Sequence, residues 1–408
     1  MAHQEPTIWH MVVAIGALDE HQTVDTSETL TFALEQYRIA IKSLLRLSRV
    51  LDKGPRLDLY LIASILFTCF ENIQGHHHAA GMHIIGGSKL MVEVGSDKHI
   101  DRKQQEILGR HFNMGAYINS EDFIPFFASL NDDVAMMAYQ DKSEEYQNFL
   151  SQSDNREKAL SFKSIAAAKS LFDYGRCLFI SERSAQASGQ LQAEHITATH
   201  DRVARLTGLL ARFSIGLDAL VERKTPNLTM RDQISVTVLR LHILYAQLTL
   251  RISTPASIPE CQDDILLSRM RHMVELGQNI VIYLSANLSP GATSFCLDMG
   301  YVIPLFTVAS QCPDRSLRWE AIRILRFLPR QEGLWSSLLV ARAAERIMAI
   351  EDSLGLQLRG CVGKLTDSRL GVAPSVFEID SNGGRLQYIS PQGTNRVSSI
   401  VVEELFSW

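Results

Sequence analysis

The stretch LYLIASILFTCFENIQGHHHAAGMHIIGGSKLMV, residues 59–92, decides how the rest of this chain is interpreted. Two apolar runs of helical character meet within it at Gly75. The first run is rich in bulky side chains, namely Leu61, Ile65, Leu66, Phe67 and Phe70. The second run is rich in small residues, namely Ala79, Ala80, Gly81, Gly86 and Gly87. Because small residues let the bulky face of a neighbouring helix come close, the stretch predicts a tight αα-hairpin.

The positions of Ala80, Ile84 and Gly87 after Gly75 resemble the second half of a tetratricopeptide-type hairpin. One hairpin cannot bury both of its faces, so helices must stack on either side, and helical periodicity runs from about residue 8 to about residue 356. The predicted helices cover residues 8–20, 27–53, 100–119, 157–183, 193–223, 230–253, 262–286, 299–311, 314–328 and 335–355.

The character of the chain changes after about residue 360. The runs VFEID and RLQYIS flank Ser381-Asn382-Gly383-Gly384, which predicts a β-hairpin, and VVEELFSW predicts a short strand or helix. The fold class is therefore all-α, an irregular array of antiparallel helical hairpins with a small C-terminal β-hairpin appendage. We place the helical domain at 1–358 and the β extension, packed on it, at 359–408.

Composition excludes several classes of protein. The net charge of −5 over 408 residues argues against a general binder of polyanions. No run of apolar residues predicts a membrane span, and neither a secretory signal nor a basic nuclear-import block is visible. The six cysteines are widely separated, which predicts reduced thiols in the cytosol or nucleus. They are Cys69, Cys177, Cys261, Cys296, Cys312 and Cys361.

Four histidines form the most conspicuous polar cluster, namely His76, His77, His78 and His83. A metal site needs two histidines on one helical face with a carboxylate nearby. Three adjacent histidines point in different directions, and His83 is five residues beyond His78. We therefore interpret the cluster as a polar turn with one half-buried histidine, and we predict no metal and no cofactor.

Two pairs of carboxylates, Asp132-Asp133 and Asp263-Asp264, suggest a Mg²⁺–diphosphate site of the terpene-synthase kind. Asp264, Ser268 and His272 share a helical face, but that motif needs a third carboxylate where His272 stands, and Glu275 is three residues late. Solvated helix N-termini, where Asp is favoured by the helix dipole, explain both pairs more simply.

An arginine-rich run is the remaining candidate site. Its members fall within an arc of roughly 140° on a helix that turns 100° per residue, and apolar residues occupy the opposite face. They are Arg315, Arg318, Trp319, Arg323, Arg326 and Arg330. Such a face can bind an acidic partner, an acidic ligand or a nucleic acid. The alternative is a solvated face paired with acids such as Asp314 and Glu320.

The order of segments resembles the large C-terminal regulatory domain of fungal binuclear zinc-cluster (Zn2Cys6) transcription factors. The resemblance spans nearly the whole chain, and the terminal β segments also look like the family's usual ending. The matching segments are AIGALDE (14–20), ALEQYRIAIKSL (33–44), ILFTCFENIQGHHHAAGMHIIGGSKLM (65–91), FKSIAAAKSLF (162–172) and, the most specific, SFCLDMGYVIPLFTVASQCPDRSLRWEAIRILRFLPRQEGLWSSLLVARAAERIMAIED (294–352).

The chain departs from the family in one respect. The family's DNA-binding module, six closely spaced cysteines with a basic linker, has no counterpart ahead of AIGALDE. No cysteine is therefore carried over as a zinc ligand, and we expect no direct DNA binding by this chain.

The resemblance implies a non-enzymatic regulator in the nucleus, with the cytoplasm as the alternative. It would control a fungal metabolic or secondary-metabolite gene cluster by binding a small effector, a protein partner or a second copy.

Two other functions stay open. A biosynthetic enzyme on a reused helical scaffold, for example terpenoid-type and Mg-dependent, would gather several of Asp132, Asp133, Asp264, His272 and Glu275 in one pocket. A dimerisation or scaffold module would show an exposed apolar patch.

Overall fold

The structure is a computed structural model. It describes residues 4–24, 27–49, 57–97, 127, 160–169, 171–173, 175, 193–224, 227–252, 261–287, 294–296, 298, 300–333, 335–353, 371–372, 378–380, 383–389 and 401–407. Helices dominate these residues and the strands are few and short, so the all-α class with a small β appendage is confirmed. The predicted helix over 100–119 lies outside the described residues.

The chain divides into two compact units. The first comprises Met1–Ser143, Asp173–Ser184 and Pro290–Leu297, and the second comprises Glu144–Phe172, Ala185–Ser289 and Asp298–Trp408. The domain boundary that we placed near residue 358 stays a prediction, because residues 354–370 are outside the described part of the chain.

The first unit is built on two helical hairpins. Its elements are α1 (Pro6–Val24), α2 (Ser27–Arg49), α3 (Leu57–Ile73), α4 (His77–Asp97) and the short strand β1 (Ser294–Cys296). Helix α1 packs against both α2 and α3, and α3 packs against α4. Small and large side chains alternate in the shared core, which includes Met11, Ala14, Ala33, Ala40, Ala63, Phe67 and Phe70.

The turn between α3 and α4 confirms the predicted hairpin. Gly75 has a φ of +78°, which a residue with a side chain rarely adopts. The amide of His76 donates to the carbonyl of Glu71 at 2.8 Å, and the amide of Gly75 donates to that of Asn72 at 3.0 Å. This pair of bonds is a Schellman motif, which satisfies carbonyls that the end of α3 would otherwise leave open.

Gly87 shows why the second helix of the hairpin needs a small residue. A Cβ atom at this position would lie 2.5 Å from Cε1 of Phe127 and 2.6 Å from Oγ of Ser64 in α3. Glycine therefore permits a close approach that alanine would block. Gly81 and Gly86 have nothing within 4 Å of the same position, so the small-residue argument holds for only part of the run.

The second unit contains six further helices whose two ends both lie in the described part of the chain. They are α5 (Ala193–Lys224), α6 (Met230–Ile252), α7 (Cys261–Asn287), α8 (Val302–Gln311), α9 (Arg315–Phe327) and α10 (Ser337–Ser353). Their bounds agree with the sequence prediction to within a few residues. The main core lies among α6 to α10 and includes Leu241, Met270, Met273, Tyr301, Leu305, Ala321, Leu325, Val340, Ala344 and Ile347.

One helix begins later than the sequence predicts. We expected it from residue 157, but residues 160–164 are not helical and helix starts at 165. Ser164 explains the start, because its Oγ accepts a hydrogen bond from the amide of Ala167 at 3.1 Å, the geometry of an N-cap. Phe162 lies just before this cap and packs on Phe213 of α5 with ring centroids 4.8 Å apart.

Two short strands between α9 and α10 were missed. They are β2 (Arg330–Glu332) and β3 (Trp335–Ser336), and they pair as an antiparallel hairpin. Strands of two and three residues are too short to show the period of two that predicts a strand.

Glu332 of β2 forms the anchor at the start of α8. Its carboxylate accepts hydrogen bonds from the amides of Gly300, Tyr301 and Val302 at 2.8, 3.1 and 3.0 Å. A helix N-terminus leaves such amides without intrahelical partners, so Glu332 satisfies them from 30 residues away. Arg330 donates from Nε to the same carboxylate at 2.8 Å.

The C-terminal strands confirm the predicted β-hairpin. They are β4 (Gly371–Val372), β5 (Glu378–Asp380), β6 (Gly383–Ile389) and β7 (Val401–Ser407). β6 pairs antiparallel with each of the other three, and Asp380 is opposite Gly383 in the register of β5 and β6. The segment VVEELFSW, for which strand and helix were both open, forms strand β7 over its described residues.

Across the described part of the chain, none of the helices combines the length with the apolar character that a membrane span requires.

Candidate functional site

A buried carboxylate organises the polar interior of the first unit. Glu71 lies in the last turns of α3 and is buried. The phenol of Tyr37, on α2, donates a hydrogen bond to Oε1 of Glu71. His76, in the turn before α4, lies with Nδ1 2.9 Å from Oε2. We refer to Tyr37, Glu71, His76 and His83 as the Glu71 cluster.

Aromatic rings enclose the Glu71 cluster. Tyr37 stacks on Phe70 with centroids 4.3 Å apart and meets Phe67 edge-on at 5.4 Å. His83 of α4 stacks on Phe67 at 5.1 Å, and its Nε2 is 3.5 Å from the hydroxyl of Tyr37. Three helices therefore contribute to one cluster, in which aromatic rings pack on Tyr37 and His83 while His76 stays exposed at the surface.

Burial sets the protonation of the cluster. It raises the pKa of the Tyr37 phenol, and both the hydrogen bond to Glu71 and the charge of Glu71 raise that pKa further. The phenol therefore stays protonated and donates. Burial lowers the pKa of His83 below its ordinary value of 6.5, while the nearby Glu71 acts in the opposite direction. His83 is consequently neutral at pH 7.

The arrangement braces the hairpin and does not present a reactive group. Each carboxylate oxygen of Glu71 already contacts a donor from the protein itself, Tyr37 on one side and His76 on the other. A general base would instead keep an oxygen available to the proton that it removes. The cluster can respond to protonation through His83, whose pKa burial lowers from 6.5.

His76 and His83 occupy the positions that the spacing predicts, whereas His77 and His78 belong to the first turn of α4 and not to the turn before it. His76 lies in the turn, and His83 is half-buried on α4. His77 begins α4, and the side chains of His77 and His78 lie outside the described residues. Among the residues that the structure does describe, no group of three or more His, Cys, Asp and Glu side chains is arranged to hold a metal ion.

The carboxylates proposed for a Mg²⁺ site are exposed where they are described. Asp264, Ser268 and His272 lie on the solvent face of α7. His272 pairs with Glu275, Nδ1 to Oε2 at 3.1 Å, and both side chains are exposed. Asp132, Asp133 and the side chain of Asp263 lie outside the described residues. The described members of the set therefore line an open surface of one helix.

The arginine-rich run differs from the predicted single face. Arg318 is only 2% exposed, and its guanidinium pairs with Glu351 of α10 at 2.5 Å and donates to the carbonyl of Ala309 at 2.6 Å. Arg330 lies in β2, because α9 ends at Phe327, and it pairs with Glu332. Arg318 and Arg330 must therefore be removed from the proposed exposed face.

The other members of the run do lie on the surface of α9. Arg315 forms two bonds to Asp352 at 2.5 and 2.6 Å, and Arg326 donates to Glu345 at 2.6 Å. Arg323 is 3.9 Å from Glu320. Trp319 is exposed. These contacts correspond to the paired alternative for Arg315 and Arg326, although their acidic partners come from α10 and not from Asp314.

Asp314 has a structural role instead. It is the N-cap of α9, where its carboxylate accepts from the amides of Ser316 and Leu317. The hydrogen bond from the hydroxyl of Ser316 is the main reason why the pKa of Asp314 is lowered.

Sequence reasoning missed Glu71, Glu351 and the exposed Phe327. Glu71 is the only charged residue in the run 59–73, and a lone acid on an apolar helix is a signal of a buried polar contact. Phe327 follows Trp319 by eight residues, which places both on one side of α9. Glu351 gave no signal, because its partner is 33 residues away.

No protein-family model matches this chain, and searches of curated proteins and of solved structures give no match either.

Proposed function

We propose that this chain is a non-enzymatic regulator of transcription, similar to the regulatory domain of fungal binuclear zinc-cluster transcription factors. It acts in the nucleus through a protein partner or a small effector, and it controls a metabolic or secondary-metabolite gene cluster. The proposal rests first on the order of segments that resembles the family. Its mechanism is a shift in a conformational equilibrium on binding, which requires a ligand with different affinity for the two states.

One observation favours a binding role over a catalytic one. In the described residues, two of the buried acids, Glu71 and Glu332, are held by donors of the protein itself through both carboxylate oxygens. Groups bound in this way stabilise helix ends and hairpins, whereas catalytic acids must reach a substrate. The all-α core of α6 to α10 provides a rigid support from which exposed side chains can contact a partner.

A tethering experiment tests the proposal. The chain is fused to a heterologous DNA-binding domain, and a reporter gene carrying the matching DNA sites is measured in a fungal host. The DNA-binding domain alone is the baseline. We expect the fusion to change reporter transcription severalfold. An unchanged reporter, with the fusion folded and present in the nucleus at the baseline level, contradicts the proposal.

A second experiment tests whether the chain needs a partner in order to bind specific DNA sequences. The purified chain is titrated with labelled genomic DNA fragments. We expect weak binding that falls steeply with salt and does not depend on sequence. Tight, sequence-specific binding by the chain alone contradicts action through a partner.

A dimerisation module is the second candidate, because α1 is apolar on two sides. Ile8 and Met11 are buried in the core, while Trp9 and Val12 are exposed on the same helix. Exposed apolar side chains that lie together mark association surfaces. Light scattering on the purified chain tests this role, with Val12→Lys as the disrupting variant and Leu338→Lys, at an exposed position of α10, as the control. A monomer at high concentration contradicts it.

A further inference from the structure

We propose that the exposed side of α9 docks an acidic segment of a protein partner that also carries apolar side chains, with Trp319, Arg323 and Phe327 as the contact stripe. This inference rests on the proposed function, for which it names the partner-binding surface. Positions i, i+4 and i+8 fall within an arc of roughly 80° on a helix that turns about 100° per residue. The three side chains therefore lie on one side of α9, in a row that is inclined to the helix axis.

The stripe is strongly exposed although two of its members are large aromatic residues. Trp319 is 46% exposed and Phe327 is 66% exposed. The side chain of Arg323 is 68% exposed. A Phe ring that is left in water forgoes the free energy that its burial would gain. A binding partner recovers that free energy by covering the ring.

Helix α9, which carries the stripe, is fixed in place by its buried inner face, by its N-cap and by ion pairs to α10. Leu317, Ala321 and Leu325 are buried on its inner face. Asp314 caps its first turn, and the pairs of Arg315 with Asp352 and of Arg326 with Glu345 join it to α10. A partner therefore meets a surface that is already ordered, which lowers the entropic cost of binding.

The charge of the stripe is concentrated on one side chain. Arg315, Arg318 and Arg326 each lie within 2.6 Å of an acidic oxygen of α10. Arg323 is the exception, because its nearest acid in the described residues, Glu320, is 3.9 Å away. Arg323 can therefore accept a carboxylate from a partner with little loss of an existing contact.

The chemistry of the three side chains selects the occupant. Trp and Arg are the residue types that dominate binding energy at protein interfaces. Two aromatic residues separated by two turns fit the apolar side of an amphipathic helix, and Arg323 between them fits an acidic residue on that helix. A nucleic acid fits less well, because it needs several phosphate contacts and the stripe offers one weakly paired arginine.

The binding test uses a designed probe. It is a fluorescent amphipathic peptide of about four helical turns, with Phe and Leu on one side and Asp and Glu elsewhere, titrated into the full chain and followed by anisotropy. Two matched peptides replace the acids by Lys or the apolar residues by Ala, and a single-stranded oligonucleotide represents nucleic acid. We expect binding of the first peptide alone.

Variants locate the binding site. We expect Trp319→Ala and Phe327→Ala each to weaken peptide binding about tenfold or more. Arg323→Glu should weaken the acidic peptide and strengthen the Lys peptide. Ile282→Ala on α7 and Arg38→Glu on α2, at exposed positions elsewhere, are the matched controls and should bind like the wild type. Thermal melts monitored by circular dichroism verify that each variant is folded.

The outcomes separate this inference from the function on which it rests. No binding of the acidic peptide, equal binding by wild type and stripe variants, or preference for the oligonucleotide overturns the docking surface. The tethered reporter gives the second readout. If Trp319→Ala leaves an active reporter unchanged, the surface is wrong and the regulatory function stands. If the wild-type fusion is inactive while the peptide binds, the function is wrong and the surface stands.

Discussion

Glu71 in the first unit and Glu351 in the second are both buried, but they are paired with different chemistry. Glu71 contacts the neutral phenol of Tyr37 and the imidazole of His76. Glu351 pairs with Arg318, whose side chain is equally buried. Arginine keeps its charge at every pH that a folded protein experiences, whereas His83, which lies beside Tyr37 and Glu71, is a histidine whose pKa burial lowers from 6.5.

This difference separates two kinds of structural support. The Arg318–Glu351 pair is a fixed link between α9 and α10, whose loss leaves a charge stranded in the core. The Glu71 cluster joins α2, α3 and α4, and the lowered pKa of His83 makes its stability depend on pH. The first unit can therefore respond to its surroundings in a range where the α9–α10 link does not.

The largest expected effect comes from breaking the fixed pair. Glu351→Ala removes the acid and leaves Arg318 buried, so the free energy of unfolding should fall by about 3–5 kcal/mol. Urea denaturation measures this fall. Asp352→Ala, one residue away, removes an exposed partner of Arg315 and should lower the free energy of unfolding far less, because solvent screens an exposed pair.

Replacing both Arg318 and Glu351 tests whether the unpaired buried charge causes the loss of stability. The double variant Arg318→Met, Glu351→Leu should recover much of the lost stability, because apolar side chains remove the stranded charge. Equal losses in Glu351→Ala and Asp352→Ala would contradict the contrast between a buried and an exposed pair.

The second effect concerns how closely α3 and α4 approach. Gly87→Ala places a Cβ 2.6 Å from Oγ of Ser64 on α3 and 2.5 Å from the ring of Phe127, so we expect the free energy of unfolding to fall by about 1–3 kcal/mol through overpacking. Gly86→Ala is the matched control, because nothing lies within 4 Å of its Cβ and alanine favours helix by up to about 1 kcal/mol. Destabilisation by both substitutions would show that helix–helix spacing is not the cause.

A smaller effect tests the donor side of the Glu71 cluster. Tyr37→Phe removes one hydrogen bond to a buried carboxylate, which should lower the free energy of unfolding by about 1–2 kcal/mol. Tyr60→Phe on α3 is the control, because burial alone raises the pKa of Tyr60 and no carboxylate contributes. If chemical denaturation gave the same loss of unfolding free energy for Tyr37→Phe and Tyr60→Phe, the hydrogen bond from Tyr37 to Glu71 would not stabilise the cluster.

The smallest effect is a dependence on pH. The pKa of His83 is lower in the folded chain than its ordinary value of 6.5, so the unfolded chain binds more protons between the two values. The stability that neutral His83 contributes is complete above pH 6.5 and is lost as the pH falls below it.

Urea denaturation from about pH 7.5 to about pH 5.5 measures this slope. Tyr37 and Glu71 lie beside His83, and His83→Gln should make the slope shallower. Asp314 and Asp352, whose pKa values are lowered below 3.8 by their hydrogen bonds to Ser316 and Arg315, contribute only at more acidic pH. An unchanged slope in His83→Gln would contradict this role.

Much of the helical architecture could be read from local signals. Gly75 between two apolar runs predicted the α3–α4 turn, and Gly383 after Asn382 predicted the β5–β6 hairpin. These signals work because a positive φ or an apolar period is a property of neighbouring residues. The paired strands β2 and β3 have no such local signal, and they were missed.

The candidate sites depended more on distant contacts. A helical projection put Arg318 with Arg315 and Arg323, but Glu351 and the carbonyl of Ala309 hold Arg318 in the core. The projection also continued to Arg330, although α9 ends at Phe327. A helical projection gives angles and does not say which part of the arc faces solvent.

The sequence by itself determined the all-α class, the α3–α4 hairpin and most helix bounds, because backbone preference and apolar period act over a few residues. Only the tertiary structure decided which charges are buried, since Glu71, Glu332 and Glu351 meet partners that are remote in the chain or brought close by a turn. It also decided that Trp319, Arg323 and Phe327 remain exposed. Solvent exposure depends on what the rest of the fold covers, and that is a property of the packed chain.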